Sequence, residues 1–212
     1  MLSDDFVPYS TFTTGLYRIK PEMEIQKFIS NVVATGNMNV RLNLPEVAMK
    51  LCDTEFNKKK IHSVVKRFRD PKCTCLIFNN GKVGISGSKS EDEARRGFRL
   101  LGRLREKSGY DVKLDGFRVV NMVAACNFGT ALDLSVLYNS LKDDYLTIYE
   151  PEVFPGLRIT YEKGVSVTVF RSGKFNIAGC KEVKKLQIVY EIITVKILLI
   201  TVTNESKRKC NV

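Results

Sequence analysis

Two asparagines, Asn31 and Asn121, stand first in two segments that align without a gap: Asn31-Val32-Val33-Ala34-Thr35-Gly36-Asn37 and Asn121-Met122-Val123-Ala124-Ala125-Cys126-Asn127. A side-chain amide carries two N–H donors and one acceptor oxygen. Two matched amides can therefore read a partner that offers hydrogen-bond acceptors in a two-fold arrangement. Phe78 and Phe170 are matched as well, each preceding a turn that ends in Gly-Lys: Asn79-Asn80-Gly81-Lys82 and Arg171-Ser172-Gly173-Lys174. Aromatic rings can wedge between stacked planar groups, and lysines beyond the turns can meet anions. The parts of a catalyst are missing. His62 is the only histidine and no acids cluster beside it. The six cysteines (Cys52, Cys73, Cys75, Cys126, Cys180 and Cys210) lack zinc-ligand spacing, so neither metal nor cofactor is called for. Cys75, two residues from Cys73 in an apolar strand, reads as a small core residue.

The elements that must position these groups come in two copies. Leu42, Leu44 and Leu51 match Leu132, Leu134 and Leu141 at an offset of about 90 residues. Ile85, Gly87 and Lys89 match Ile177, Gly179 and Lys181 in nearly the same register. Each copy reads as a strand, a helix, several strands and a longer helix. Ser30 to Thr35, Ile61 to Phe68 and Thr74 to Phe78 are β-rich, and Lys82 to Ser86 returns after a turn whose Asn and Gly tolerate positive φ. Leu44 to Cys52 has helical spacing, with Pro45 acceptable in its first turn. Ser90 to Ser108 is the clearest helix: Ser90 caps it and Glu91, Asp92 and Glu93 suit its positive end. Its buried stripe is Ala94, Phe98, Leu101 and Leu104, and Gly109 ends it. Leu186 to Val202 is apolar but interrupted by Glu191 and Lys196. At roughly 17 residues, with a cost of about 2.5–3.5 kcal/mol per central charge, it reads as a buried element and not as a membrane span. Many β-branched residues weaken the helical reading of Val183 to Val202.

Two such copies, joined edge to edge, make one curved antiparallel sheet with four helices on one face. By the period-two rule Cys75, Ile77, Val83 and Ile85 face the helices, while Leu76, Phe78, Gly84 and Ser86 face the open side. Apolar residues on an uncovered face call for a partner. The 34 basic residues exceed the 23 acidic ones by +11, which points to a polyanion. The minor groove of A·T pairs shows acceptors only. It suits amides at the pseudo-dyad, small apolar neighbours such as Val33 and Val123, and aromatic wedges at the sheet ends. The first ten residues carry Asp4 and Asp5 and no signal-like pattern. Reduced cysteines in a nuclear or cytoplasmic compartment are expected.

At this point the residues resemble a known family. Arg67-Phe68-Arg69-Asp70-Pro71, Leu76-Ile77-Phe78-Asn79-Asn80-Gly81-Lys82 and Ser86-Gly87-Ser88-Lys89-Ser90-Glu91 resemble the first-repeat core of the TATA-box binding proteins. Gly116 to Val123 resembles the start of the second repeat, and Tyr149-Glu150-Pro151-Glu152-Val153-Phe154-Pro155-Gly156-Leu157 is similar to its signature almost throughout. The likeness runs from about Glu24 to about Lys181. It implies an α+β saddle of two pseudo-symmetric repeats, with helices on the convex face only, in a nuclear basal transcription factor or a viral counterpart. Asn31, Val33, Leu76, Asn121 and Val123 would line the groove. Ile61, Phe78, Phe154 and Phe170 would kink it. Arg67, Lys82, Lys89, Lys174 and Lys181 would meet phosphates. Glu150 and Glu152 would dock a TFIIB-like factor. Arg95, Arg99, Arg103 and Lys107 would face a TFIIA-like factor or other TBP-associated factors.

The chain also departs from the family pattern. Ile61 stands where an outer Phe is usual, Gly84 and Asn176 replace groove-lining valines, Ala178 a threonine, and Thr168 a leucine. A family Arg near Thr160 is missing, with Arg158 close by. These mark a divergent member. They leave open a second reading, a protein-interaction adaptor of the transcription machinery with little sequence-specific DNA binding. The apolar open face also leaves room for self-association of the DNA-free protein. The expected boundaries are an extension over 1–20, repeats over 21–112 and 113–203, and a basic tail over 204–212.

Overall fold

The computed structural model describes residues 25–56, 62–103 and 109–210, with the backbone alone over 205–210. Ile61, Leu104 and Lys107, singled out from the sequence, lie outside the described residues. In the first repeat, β1 (Ile29–Asn37) leads to α1 (Leu44–Lys50), then β2 (Thr54–Glu55), β3 (Ser63–Phe68), β4 (Cys73–Phe78), β5 (Lys82–Ser88) and α2 (Glu91–Leu100). The second repeats that order: β6 (Asp115–Asn127), α3 (Leu134–Leu141), β7 (Leu146–Ile148), β8 (Gly156–Glu162), β9 (Val165–Phe170), β10 (Lys174–Cys180) and α4 (Val183–Cys210).

The strands form one ten-stranded sheet in the order β2-β3-β4-β5-β1-β6-β10-β9-β8-β7. This order reads the same from either end once repeat 1 is exchanged for repeat 2. The centre is the antiparallel β1–β6 pair, where Val32 faces Met122. The result is the saddle expected from the repeat: an open α+β sheet with, among the described residues, four α-helices set against the convex face.

Alternation decides which face is which. Cys75, Ile77, Val83 and Ile85 are buried with Ala94 and Phe98 of α2, while Leu76, Gly84 and Ser86 are half-buried on the opposite face. The second repeat does the same with Val167, Val169, Phe175 and Ile177. Packing under α2 is tight: a Cβ added at Gly97 would meet Cys73 Sγ at 2.3 Å. Cys75 is a core residue, as read from the sequence, and Cys73, Cys126 and Cys180 are buried as well. Burial pushes the Cys126 thiol up to about 12, and the hydrogen bond with Cys73, then burial, raise Cys75.

The long helices add detail that the sequence did not show. The α-helical part of α2 ends at Leu100 and passes into a 3-10 turn, Leu101–Arg103; the rest of the expected span, 104–108, lies outside the described residues. Its N-terminus is as read: Ser90 Oγ accepts from Glu93 N–H at 3.2 Å, and Lys89 N–H donates to the Glu93 carboxylate at 2.8 Å. Helix α4, read weakly from its β-branched residues, is instead the longest helix at 28 residues, and continues through residues 204–210, where a tail was expected. Local propensity loses here to packing, because Leu186, Val189, Tyr190, Ile193 and Ile197 lie along one side of α4 and bury in the core. Its Val183–Asn204 stretch is long and apolar enough to cross a membrane by length and composition, yet that inward stripe rests on the protein's own core. Ile193→Ala should cost about 2–5 kcal/mol in urea unfolding, and Ile188→Ala, on the outer side, less than about 1 kcal/mol.

Candidate nucleic-acid interface

The open face is organised by cross-strand rows. On the central pair Asn31 lies opposite Val123, and Val33 opposite Asn121. These four half-buried residues form a square about the pseudo-dyad. The two asparagines are its diagonal, roughly 7–8 Å apart by the spacing of such neighbours. The matched positions read from the sequence are therefore brought together.

The amides are also oriented. Gly87 N–H donates to Asn31 Oδ1 at 2.7 Å, and Gly179 N–H donates to Asn121 Oδ1 at 2.8 Å. A backbone N–H can only donate, so the acceptor must be the amide oxygen, and the amide NH2 is left to donate elsewhere. Both glycines have positive φ, +87° and +102°, at irregularities in strand pairing. The sequence comparison shows these glycines as matched positions. It does not show that they aim the asparagines, because the contacts span 56 and 58 residues.

Outward from the dyad, one row of the first repeat is Arg67, Thr74 and Ser86. Its counterpart is Thr160, Ser166 and Ala178. The register thus equates Thr160 with Arg67, and Arg158 does not replace the missing arginine. Arg158 lies one row further out, with Thr168 and Asn176, opposite the first repeat's Val65, Leu76 and Gly84. Arg67 is partly engaged, since it pairs with Glu55.

Aromatic side chains lie at each end of the face. Phe78 and Phe154 are each 37% exposed, far above the core level, so neither is tucked beneath a helix. Phe154 and Phe170 meet edge to face, with ring centroids 5.9 Å apart. The Phe154 loop is held by its own backbone, the N–H groups of Val153 and Phe154 both donating to Glu150 C=O. Gly156 lies beneath the pair: an added Cβ would come within 2.7 Å of the Phe154 ring and 3.1 Å of the Phe170 ring. Arg158 stands 5.7 Å from the Phe154 ring centroid, a contact that sequence reasoning missed for want of the register. In the first repeat Ser63 holds the place of Gly156, opposite Phe78.

Lys82 and Lys174 follow the two hairpin turns, Lys89 and Lys181 follow β5 and β10, and all four are exposed. Glu150 and Glu152 are exposed on the loop between β7 and β8, close in sequence to Val153, which is 80% exposed. On the convex side Arg99 and Arg103 are exposed, whereas Arg95 pairs with Glu91 at 2.6 Å and lies 4.3 Å over the Phe117 ring.

The family profile described as transcription factor TFIID, or TATA-binding protein, matches residues 26–106 and 116–199. The chain belongs to the TATA-binding protein family. That family consists of transcription factors and not enzymes. The chain is 34% identical to the TATA-box-binding protein-like 1 of Entamoeba histolytica over 189 residues, covering 88% of this chain and 86% of that protein. It is 33% identical to the TATA-box-binding protein of Saccharomyces cerevisiae over 202 residues, 90% of this chain and 83% of the yeast protein. Against the TATA box-binding protein-like 2 of Rattus norvegicus it is 38% identical over 77% of its own length, but spans about half of the rat protein, 47%. The solved structure of Methanococcus jannaschii TBP superposes with a TM-score of 0.66 at 32% identity, covering 79% of this chain and 97% of that one.

The two glycines that aim the asparagines should respond unequally to a methyl group. At Gly87 an added Cβ meets nothing nearer than 4.0 Å, whereas at Gly179 it would lie 1.7 Å from Gly164 C=O. Gly87→Ala should therefore cost about 1–2 kcal/mol from its left-handed backbone alone. Gly179→Ala should cost clearly more, as read by paired urea titrations.

Proposed function

We propose that this protein is a nuclear basal transcription initiation factor that binds and bends promoter DNA through an AT-rich minor groove. The observation that carries the reading is the pair of asparagines at the pseudo-dyad, whose amide oxygens are occupied by glycine N–H groups. That contact fixes each amide with its NH2 free to donate to a ligand, and the minor-groove edges of A·T pairs present acceptors only. Val33 and Val123 flank the donors with groups that suit A·T edges. The Phe154–Phe170 pair at one end, and Phe78 at the other, are placed to enter base steps and kink the duplex.

Phosphate contacts fix position while base contacts specify. Arg67, Lys82, Lys89, Lys174 and Lys181 supply five such contacts in this reading. Plotted logarithmically, duplex affinity should then fall against salt with a slope of about −4 to −5. A pure protein-interaction adaptor would show no such binding, so the same titration separates the two readings. Phe154→Ala and Phe170→Ala should each weaken binding to an AT-rich duplex by about tenfold, which is roughly 1.4 kcal/mol. Gel-shift titrations with unchanged affinity in both variants would remove the wedge assignment.

Recruitment is assigned to a separate surface. Glu150 and Glu152, beside exposed Val153, support docking of a TFIIB-like factor, and Arg99 and Arg103 support a TFIIA-like factor on the convex side. Glu150→Arg should leave duplex affinity intact and abolish capture of the TFIIB-like factor in a pull-down; a retained factor would count against it.

A further inference from the structure

Among the departures of the open face from its own two-fold symmetry, one changes the hydrogen-bonding character of a whole row. The row Val65, Leu76 and Gly84 in the first repeat carries no hydrogen-bonding side chain. The equivalent row in the second repeat is Arg158, Thr168 and Asn176. Asn176 and Arg158 are exposed and Thr168 is half-buried, all on the side away from the helices. Among the described residues no hydrogen bond ties the side chains of Asn176 or Thr168, and Arg158 is engaged only over the Phe154 ring. The row lies between Asn121 at the dyad and the Phe154–Phe170 wedge. Any duplex that reaches both of these must cover it.

We propose that the second repeat reads a G·C pair through Asn176, so that the preferred site is asymmetric: A·T only on the first-repeat half, with guanine favoured on the second-repeat half. This rests on the minor-groove reading above. A G·C pair differs from A·T in that groove by one group, the guanine 2-amino donor, which needs an acceptor. Unlike the dyad asparagines, Asn176 has no backbone N–H on its oxygen. Its amide offers an acceptor and a donor side by side, which matches the adjacent 2-amino donor and N3 acceptor on the guanine edge. Thr168 Oγ1 adds a second acceptor in the same row. On the opposite half Leu76 would cover the same amino group and leave it desolvated without a partner, which is unfavourable. The chemistry that admits guanine on one side thus rejects it on the other.

The test uses the full chain and duplexes with a central A·T run, in which each pair in turn is replaced by G·C and then by inosine·C. Inosine lacks the 2-amino group, so in the minor groove its pair resembles A·T. In competition gel shifts, guanine on one side of the centre should bind about fivefold or more tighter than inosine, the lower range for such a contact. On the other side guanine should bind more weakly than inosine. Asn176→Val, an exposed substitution whose fold is checked by its urea midpoint, should erase the first difference and leave the second. Guanine weaker than inosine on both sides, or a guanine advantage that survives in Asn176→Val, would overturn the asymmetric reading while leaving groove binding in place. Failure to bind any of these duplexes would overturn the groove reading itself.

Discussion

The structure depends on the pairing of β1 with β6. These are the first strands of the two repeats, and their antiparallel register sets Val32 against Met122 at the centre of the molecule. Every other relation across the pseudo-dyad follows from it. The two sheets become one, the helices fall on one side because both copies bury the same alternate residues, and the two asparagines meet. A slip of one residue would turn Asn31 and Asn121 into the core and Val32 and Met122 out of it. Burial of the alternate residues holds that register firmly.

That pairing leaves an unusual surface, an open sheet face carrying valine, leucine and phenylalanine beside aimed amides and flanked by lysines. In the proposed reading its groups suit a ligand with a shallow acceptor-lined floor and charged walls. Orientation comes from the backbone. Two glycines with positive φ bend β5 and β10 so that their N–H groups occupy the amide oxygens. In that reading the lysines and arginines at turns and strand ends need less precision, since phosphate contacts position a duplex while base contacts specify it.

Symmetry and its breakage have different origins. The backbone, the sheet order and the dyad square are close to two-fold. The side chains further out are not: Gly156 faces Ser63 across the symmetry, and Asn176 faces Gly84. The surface thus has a direction, and that direction comes from side chains alone, at positions where the sheet register is the same in both repeats.

Much of this was legible in the sequence. The repeat, the alternating burial of β4 and β5, the capped start of α2, the matched asparagines and the paired aromatics are all local patterns, set by periodicity, turn chemistry and self-similarity. The length of α4 was not legible, because its β-branched residues argue against a helix until a core exists for Ile193 and Ile197 to fill. The tightening of α2 into a 3-10 turn at Leu101–Arg103 was not legible either, since the periodic pattern runs through it unchanged. Only the tertiary structure decided that Gly87 and Gly179 aim the asparagines, that Arg158 stands beside Phe154, and that Thr160, not Arg158, is the counterpart of Arg67. Each of these is a contact or register between segments distant in the chain, and sequence spacing alone carries no record of which strands become neighbours.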